Sequence, residues 1–114
     1  MNPVRLGKRN SRNGGTPFMI NSRLYRVAQD CSLTYGGALC IMEILRCTPD
    51  AYEEREVNHI LPDTRSINPS GLHTISAWGN RCLVDGKHYR FSLNHLKRKN
   101  LFRISLWRSE NSRF

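Results

Sequence analysis

The sequence predicts an all-β domain with no long helix. About seven or eight short segments of apolar or alternating residues recur at the spacing typical of a sandwich, a barrel or a propeller. Clusters of Gly, Pro, Asn, Asp and Ser separate these segments, and such residues favour turns. With 114 residues the chain is long enough for one domain with a modest core.

The chain divides into three parts by composition. Residues 1–17 are rich in Arg, Asn, Gly and Ser, which predicts a basic arm or a first edge segment. Residues 18–109 carry the strand signals and form the predicted β domain, and residues 110–114 form a short tail.

The first half of the β domain contains three predicted strands. Phe18–Ile20 and Arg23–Val27 are short strands that a tight turn at Asn21-Ser22 connects. Residues 38–45 are nearly all apolar and too short for a helix, so they predict a central strand that is buried on both faces.

The next segment, residues 52–60, is ambiguous from its residues alone. Three glutamates, Glu53, Glu54 and Glu56, favour a helix. The spacing of Val57 and Ile60 suits either a helix or a strand.

The strongest local signal lies in the C-terminal third. A loop of turn residues leads into a strand over Leu72–Trp78, and Gly79-Asn80 turns the chain back. Arg81–Val84 and Lys87–Phe91 are predicted strands on either side of Asp85-Gly86. Because Asp-Gly tolerates positive φ at both central positions, it predicts a type I′ hairpin turn there.

The end of the β domain is basic. Residues 92–100 predict a short turn or helix around Leu93 and Leu96, and the alternation of apolar residues over 102–106 predicts a final strand. The basic residues Lys97, Arg98, Lys99 and Arg103, beside two aromatic residues, are candidate phosphate contacts of a nucleic-acid-binding protein. The alternative is a solvated surface, since no known nucleic-acid-binding motif occurs.

The charge of the whole chain fits the nucleic-acid alternative only in part. The net charge is +9 and the isoelectric point is about 10.0. Both ends are basic, whereas residues 27–85 contain eight acidic and four basic residues. An anionic polymer is therefore a possible partner of the ends but not of the middle.

Spacing of cysteines and histidines predicts neither a metal site nor a cofactor. The four cysteines include no C-x-x-C pair, and the four histidines include no helical i, i+4 pair. No apolar run approaches the length of a membrane span, and no apolar segment of a secretion signal follows the N-terminus. We therefore expect a cytoplasmic protein with four free thiols.

A set of short motifs carries a family resemblance. They span residues 2 to about 91, and the Gln-Asp-Cys-Ser and His-Thr-Ile-Ser motifs are the most specific of them. The matching segments are Asn2–Val4, Gly15–Phe18, Leu24–Arg26, Ala28–Ser32, Tyr35–Gly37, Tyr52–Glu54, Gly71–Ser76 and Val84–Lys87. With these segments the chain resembles the C-terminal part of the five-bladed β-propeller domain of glucosamine inositolphosphorylceramide transferase-like proteins and bacterial formyltransferase fusions. That domain is distantly similar to arabinanase, levansucrase and invertase propellers.

The resemblance implies a strand over residues 52–60 and an incomplete propeller. A propeller blade has about 40 to 50 residues, so the chain supplies about two blades of antiparallel four-stranded sheet. Isolated blades expose apolar faces and strand edges. We therefore expect either self-association or missing blades that another chain supplies.

The resemblance also implies sugar-related chemistry. Relatives use several carboxylates for glycosyl transfer or hydrolysis, but Asp30 is the single candidate here, so we expect no independent catalysis and assign no catalytic residue. The predicted function is binding of a sugar or nucleotide-sugar, or a non-catalytic remnant. Candidate ligand-binding residues are Gln29, Asp30, His73, Thr74 and Trp78. The alternative for Asp30 is a structural role, in which its carboxylate accepts backbone hydrogen bonds in the turn before Tyr35.

Overall fold

A computed structural model describes residues 6–7, 9–92 and 97–108, with side chains as far as Tyr89. All eight elements in these ranges are β-strands, and they pair antiparallel in two sheets. The strands are β1 (Arg9–Asn13), β2 (Phe18–Ile20), β3 (Arg23–Asp30), β4 (Ala38–Thr48), β5 (Ala51–Ile60), β6 (Gly71–Trp78), β7 (Arg81–Ser92) and β8 (Lys97–Arg108). The predicted all-β class is confirmed, and two antiparallel sheets are compatible with partial propeller blades.

The larger sheet has the strand order β1-β3-β4-β5, with β2 also paired to β3. The predicted turn between β2 and β3 is confirmed, because Asn21 and Ser22 have φ values of 49° and 63° and such positive values are those of a type I′ hairpin turn. The apolar segment 38–45 is the first part of β4, which lies between β3 and β5 as expected for a central strand. Residues 52–60 are in β5, so the strand alternative is correct there.

The smaller sheet corrects the prediction for Asp85-Gly86. Strand β7 runs without interruption through both residues and pairs with β6 on one side and β8 on the other. A hairpin turn at this position is therefore wrong. Gly86 is needed for a different reason: a Cβ atom there would lie 2.8 Å from the Cβ of Asn68, which packs directly on the strand.

The predicted basic turn or helix at residues 92–100 is also wrong over the residues that the structure describes there, 92 and 97–100, which lie in strands. Lys97, Arg98 and Lys99 lie in β8, as does Arg103, because this segment pairs in register with β7 from Arg81↔Arg108 to Ser92↔Lys97. Strand β8 confirms the predicted final strand. Leu93, Leu96 and the tail at 110–114 lie outside the described residues.

The core is small and lies on both faces of β3 and β4. One face buries Ala28, Cys40 and Met42, which form a contiguous cluster. The other buries Val27 and Leu39 against Gly14. Since opposite faces of these two strands are buried, the larger sheet can position polar side chains on either side.

Backbone contacts join the two sheets along a seam. The amide of Ile75 donates to the Gly14 carbonyl at 2.7 Å, and the amide of Leu72 donates to the Gly37 carbonyl at 3.4 Å. Gly15 has no room for a side chain, since a Cβ atom would lie 1.8 Å from the Ile75 carbonyl oxygen. The glycines let β6 approach the larger sheet closely enough to place the loop 31–37 against it.

Candidate functional site

A group of polar side chains lies at the seam, where the loop between β3 and β4 meets β6 and β7. We call it the seam cluster. At its centre is His73, whose Nε2 lies 2.8 Å from Tyr35 Oη and whose Nδ1 lies 3.0 Å from Asp85 Oδ2. The other members are Thr34, Lys87 and Tyr89.

An irregularity in β6 explains the position of His73. The register steps from Leu72↔Gly86 to Thr74↔Asp85, which leaves His73 as an extra residue in a β-bulge. A bulge re-aims a side chain relative to the regular alternation of a strand. His73 is thereby directed toward Asp85 and the loop that carries Tyr35.

Lys87 in β7 binds the loop that carries Tyr35. Its side chain is almost fully buried, and its Nζ donates to Thr34 Oγ1 at 3.0 Å and to the Tyr35 carbonyl at 2.5 Å. The same ammonium lies 5.1 Å from the centre of the Tyr89 ring, a favourable distance for a cation-π contact. Lys87 therefore holds the loop by hydrogen bonds to neutral oxygens, and none of the ion pairs found among the described side chains involves it.

The seam cluster is accessible at one side. The Tyr35 residue is 50% exposed, and Arg12 lies over its ring at 5.6 Å. Asp85 Oδ1 is buried and has no hydrogen-bond partner among the described residues. A buried acceptor without a partner is costly, so this oxygen is a position where a hydroxyl donor would be stabilising.

A second polar group, the Asp30 cluster, lies on the face of the larger sheet that buries Ala28. Arg9 joins two carboxylates there, with Nη1 2.5 Å from Asp30 Oδ2 and Nη2 2.8 Å from Glu56 Oε1. His59 Nε2 lies 3.2 Å from the same Asp30 oxygen. The remaining member is Cys40, which neighbours His59 across β4 and β5.

Both carboxyl groups of the Asp30 cluster have lowered pKa values. Burial works to raise the pKa of Asp30, but hydrogen bonds from Ser32 and the charge of Arg9 outweigh it. Burial likewise opposes the lowered pKa of Glu56, and hydrogen bonds from Asn10 and Arg9 prevail. Burial raises the pKa of the Cys40 thiol to about 11.

The structural alternative for Asp30 has direct support. Its Oδ1 accepts hydrogen bonds from the Ser32 amide at 3.0 Å and from Ser32 Oγ at 2.5 Å, so it holds the turn after β3. Gln29 points to the opposite face, where it accepts a hydrogen bond from the Cys31 thiol at 3.7 Å. The side chains of Asp30 and Gln29 therefore lie on opposite faces of the larger sheet, as alternation along a strand requires.

The remaining predicted residues of the sugar site are spread along β6. Thr74 adjoins His73 and is half-buried. Trp78 is five residues beyond His73, roughly 17 Å at the rise of an extended strand, and it is 80% exposed. The structure thus brings His73 together with Tyr35 and Asp85, which the sequence did not single out for this role, and places Trp78 elsewhere.

The comparisons with known proteins agree on one family. A sequence profile described as glucosamine inositolphosphorylceramide transferase 1, N-terminal, matches residues 2–73, which is more than half of the chain. The chain belongs to this family. The predicted relation to glycolipid glycosyltransferases is thereby confirmed, and the match includes Gln29, Asp30, Tyr35 and His73.

Individual members of the glucosamine inositolphosphorylceramide transferase family are similar over shorter stretches. The Arabidopsis thaliana glucosamine inositolphosphorylceramide transferase 1 is 39% identical over 66 residues, which cover 56% of this chain and 9% of the relative. The Oryza sativa subsp. indica protein of the same name is 44% identical over 48 residues, which cover 42% of this chain and 6% of the relative. The chain thus spans less than a tenth of the length of these curated relatives.

No solved structure matches the chain. Within the part of the chain that the structure describes, no helix has the length and apolar character that crossing a membrane would require.

Proposed function

We propose that this chain is a sugar-binding segment of the N-terminal region of a glucosamine inositolphosphorylceramide transferase-like protein, and that it does not catalyse glycosyl transfer by itself. The ligand class is a hydroxyl-rich ring, an amino-sugar, a nucleotide-sugar or an inositol. The observation that carries the proposal is His73, which is held at both ring nitrogens between Asp85 and half-exposed Tyr35.

The chemistry of the seam cluster suits hydroxyl recognition. Ligand sites combine a few convergent polar groups with aromatic surface on a rigid frame. Here Tyr35, His73 and Thr34 supply the polar groups, and the bulge in β6 with buried Lys87 supplies the frame. Asp85 Oδ1 adds an acceptor that a ligand hydroxyl would satisfy.

The carboxylates support a non-catalytic role. Glycoside hydrolysis requires one carboxylic acid with a raised pKa that donates a proton and a second carboxylate that acts as nucleophile or base. Asp30 and Glu56 are both bound by Arg9, and the pKa of each is lowered. Neither group is then suited to donate a proton near neutral pH.

A titration followed by amide chemical shifts tests the proposal. Glucosamine, N-acetylglucosamine, myo-inositol and a uridine diphosphate sugar would be added separately to millimolar concentration. We expect shifts confined to residues 34–37, 73–74 and 85–87. An absence of shifts there with all four ligands would refute sugar binding at the seam cluster.

A matched pair of histidine variants sharpens this test. Losing a hydrogen-bonding partner costs about 0.5 to 1.5 kcal/mol, so His73→Gln should weaken binding by roughly two- to tenfold. His88→Gln is the control, because His88 lies in neighbouring β7 and interacts instead with Asn68. Equal weakening by both variants would contradict a specific role for His73.

A second candidate function is assembly with further strands. Within the described ranges, β5 pairs only with β4 along its ten residues, and β8 pairs only with β7. Unpaired strand edges bind other strands readily. Light scattering over a concentration series tests self-completion of the sheets, and a monomer at all concentrations would contradict it.

A further inference from the structure

We propose that Asp30, Cys40 and His59 form a binding site for a zinc ion on the larger sheet. One donor atom from each of these residues lies within 4.8 Å of the other two. Sulfur, imidazole nitrogen and carboxylate oxygen are the donors that Zn²⁺ takes from proteins. This site is separate from the seam cluster and does not depend on sugar binding there.

Strand register brings the three donors together. Cys40 pairs directly with His59 on one side and with Ala28 on the other. Asp30 is two residues beyond Ala28 in β3, so its side chain projects from the same face. Three adjacent strands therefore each supply one ligand, which gives the site a rigid base.

The distances between the three donor atoms suit a metal ion after small side-chain movements. Zinc binds sulfur at about 2.3 Å and nitrogen or oxygen at about 2.0 to 2.2 Å, so tetrahedral ligands lie roughly 3.3 to 3.8 Å from one another. His59 Nε2 and Asp30 Oδ2 are already 3.2 Å apart. Changes in χ1 of Cys40 and in χ1 and χ2 of His59 would bring the sulfur and the ring nitrogen the remaining distance.

The carboxylate of Asp30 is oriented for this role. Its Oδ1 is held by the Ser32 amide and hydroxyl, which leaves Oδ2 directed toward His59. Hydrogen bonds of this kind from outside the ligand set orient metal ligands and increase affinity. A fixed carboxylate lowers the conformational cost of binding an ion.

Arg9 is the cation that a metal would replace. Its Nη1 binds the same oxygen, Asp30 Oδ2, while its side chain is 44% exposed and can move toward solvent. Cys40 is fully buried, whereas the His59 side chain is 33% exposed. The ion would therefore enter between Arg9 and His59, and the Cys40 thiol would release its proton to water as the zinc–sulfur bond forms. Water or Glu56, which interacts with Cys40, would complete the coordination.

Cobalt titration of the untagged, reduced chain tests the site. Co²⁺ is a spectroscopic substitute for zinc, and a thiolate ligand produces a charge-transfer band in the near ultraviolet. We expect this band to saturate at one equivalent and to disappear when Zn²⁺ is added. No band, or a band that never saturates, would overturn the proposal.

Variants of the proposed ligands identify which side chains bind the ion, and two different ligand variants keep the test informative if one of them fails to fold. Cys40→Ser should abolish the band and His59→Gln should weaken Co²⁺ affinity at least tenfold, whereas the controls Cys47→Ser and His88→Gln should leave both unchanged. His59 is on the partly exposed strand β5, so its variant remains informative if Cys40→Ser fails to fold. Arg9→Ala should bind Co²⁺ more tightly, since a competing cation is removed. A band that persists unchanged in His59→Gln would contradict the site.

Discussion

Arg26 in β3 and Glu54 in β5 form a bidentate ion pair that crosses β4. Arg26 Nε lies 2.6 Å from Glu54 Oε2, and Nη2 lies 2.7 Å from Oε1. The side chains are 10% and 1% exposed, and the guanidinium also donates to the Asn10 carbonyl in β1. One buried arginine thus connects three strands of the larger sheet.

Removing one partner of this pair should be strongly destabilising. Arg26→Ala leaves the Glu54 carboxylate buried without its countercharge, which typically costs about 3 to 5 kcal/mol. The free energy of unfolding in urea would measure the loss. Arg65→Ala is the control, because Arg65 and its partner Asp63 are 92% and 60% exposed and such surface pairs contribute about 1 kcal/mol or less. Similar losses in both variants would show that burial of the Arg26 pair has no special importance.

The seam between the sheets should be intolerant of a side chain at Gly15. Gly15→Ala would force a Cβ atom against the Ile75 carbonyl, and we expect a loss of about 3 kcal/mol, the upper range for overpacking. Gly79→Ala is the comparison, since Gly79 has open space and costs only the strain of its positive φ of 57°, about 1 to 2 kcal/mol. Urea unfolding and hydrogen exchange of the Ile75 amide would measure both. If the Ile75 amide stays equally protected in Gly15→Ala, the packing of the seam is not as described.

The free energy of unfolding should decrease in acid, because the carboxyl groups of the Asp30 cluster become protonated. The folded-state pKa values of Asp30 and Glu56 are lowered, relative to unfolded values of about 3.9 and 4.3. Their contribution is therefore present in full above about pH 5 and is lost as the pH falls through the folded-state values. Urea midpoints between pH 7 and pH 3 should show this decline.

Two aspartate variants provide the control for the acid prediction. Asp30→Asn should lower stability at pH 7 and should flatten the decline between pH 5 and pH 3. Asp63→Asn should leave the curve unchanged, because Asp63 is 60% exposed in its pair with Arg65. A curve for Asp30→Asn that parallels the unmodified protein would contradict the assignment.

Three of the four thiols, those of Cys40, Cys47 and Cys82, should differ in reactivity. Burial raises the pKa of Cys40 to about 11 and also raises that of Cys82, whereas Cys47 is exposed. Because the thiolate is the nucleophile, iodoacetamide at pH 8 should modify Cys47 first and should reach Cys40 and Cys82 only after unfolding in urea. Peptide mass mapping over time would measure the order. Alkylation of Cys40 in the folded protein at the rate of Cys47 would contradict its burial.

Several predictions that depend on neighbouring residues are correct. The turn at Asn21-Ser22 and the apolar strand β4 are correct because each is encoded within a few positions, by φ preference in the turn and by unbroken apolar character in the strand. The structural role of Asp30 in the turn is correct for the same reason, since its partner Ser32 is two residues away.

The Asp85-Gly86 prediction failed because a local preference was overridden by pairing on both sides of β7. Its bonds with β6 and β8 hold the dipeptide extended, and Asn68 makes glycine necessary at Gly86 for lack of space. Glycine is compatible with a turn and with a close approach alike, so the dipeptide does not distinguish the two in isolation.

The sequence by itself determined the all-β class, the first hairpin, the central strand and the family. Only the tertiary structure decided which polar residues meet: His73 with Tyr35 and Asp85, and Asp30 with Cys40 and His59. The physical reason is that strand alternation assigns each side chain to a face from local residues, whereas register and bulges assign its neighbours through pairing along whole strands.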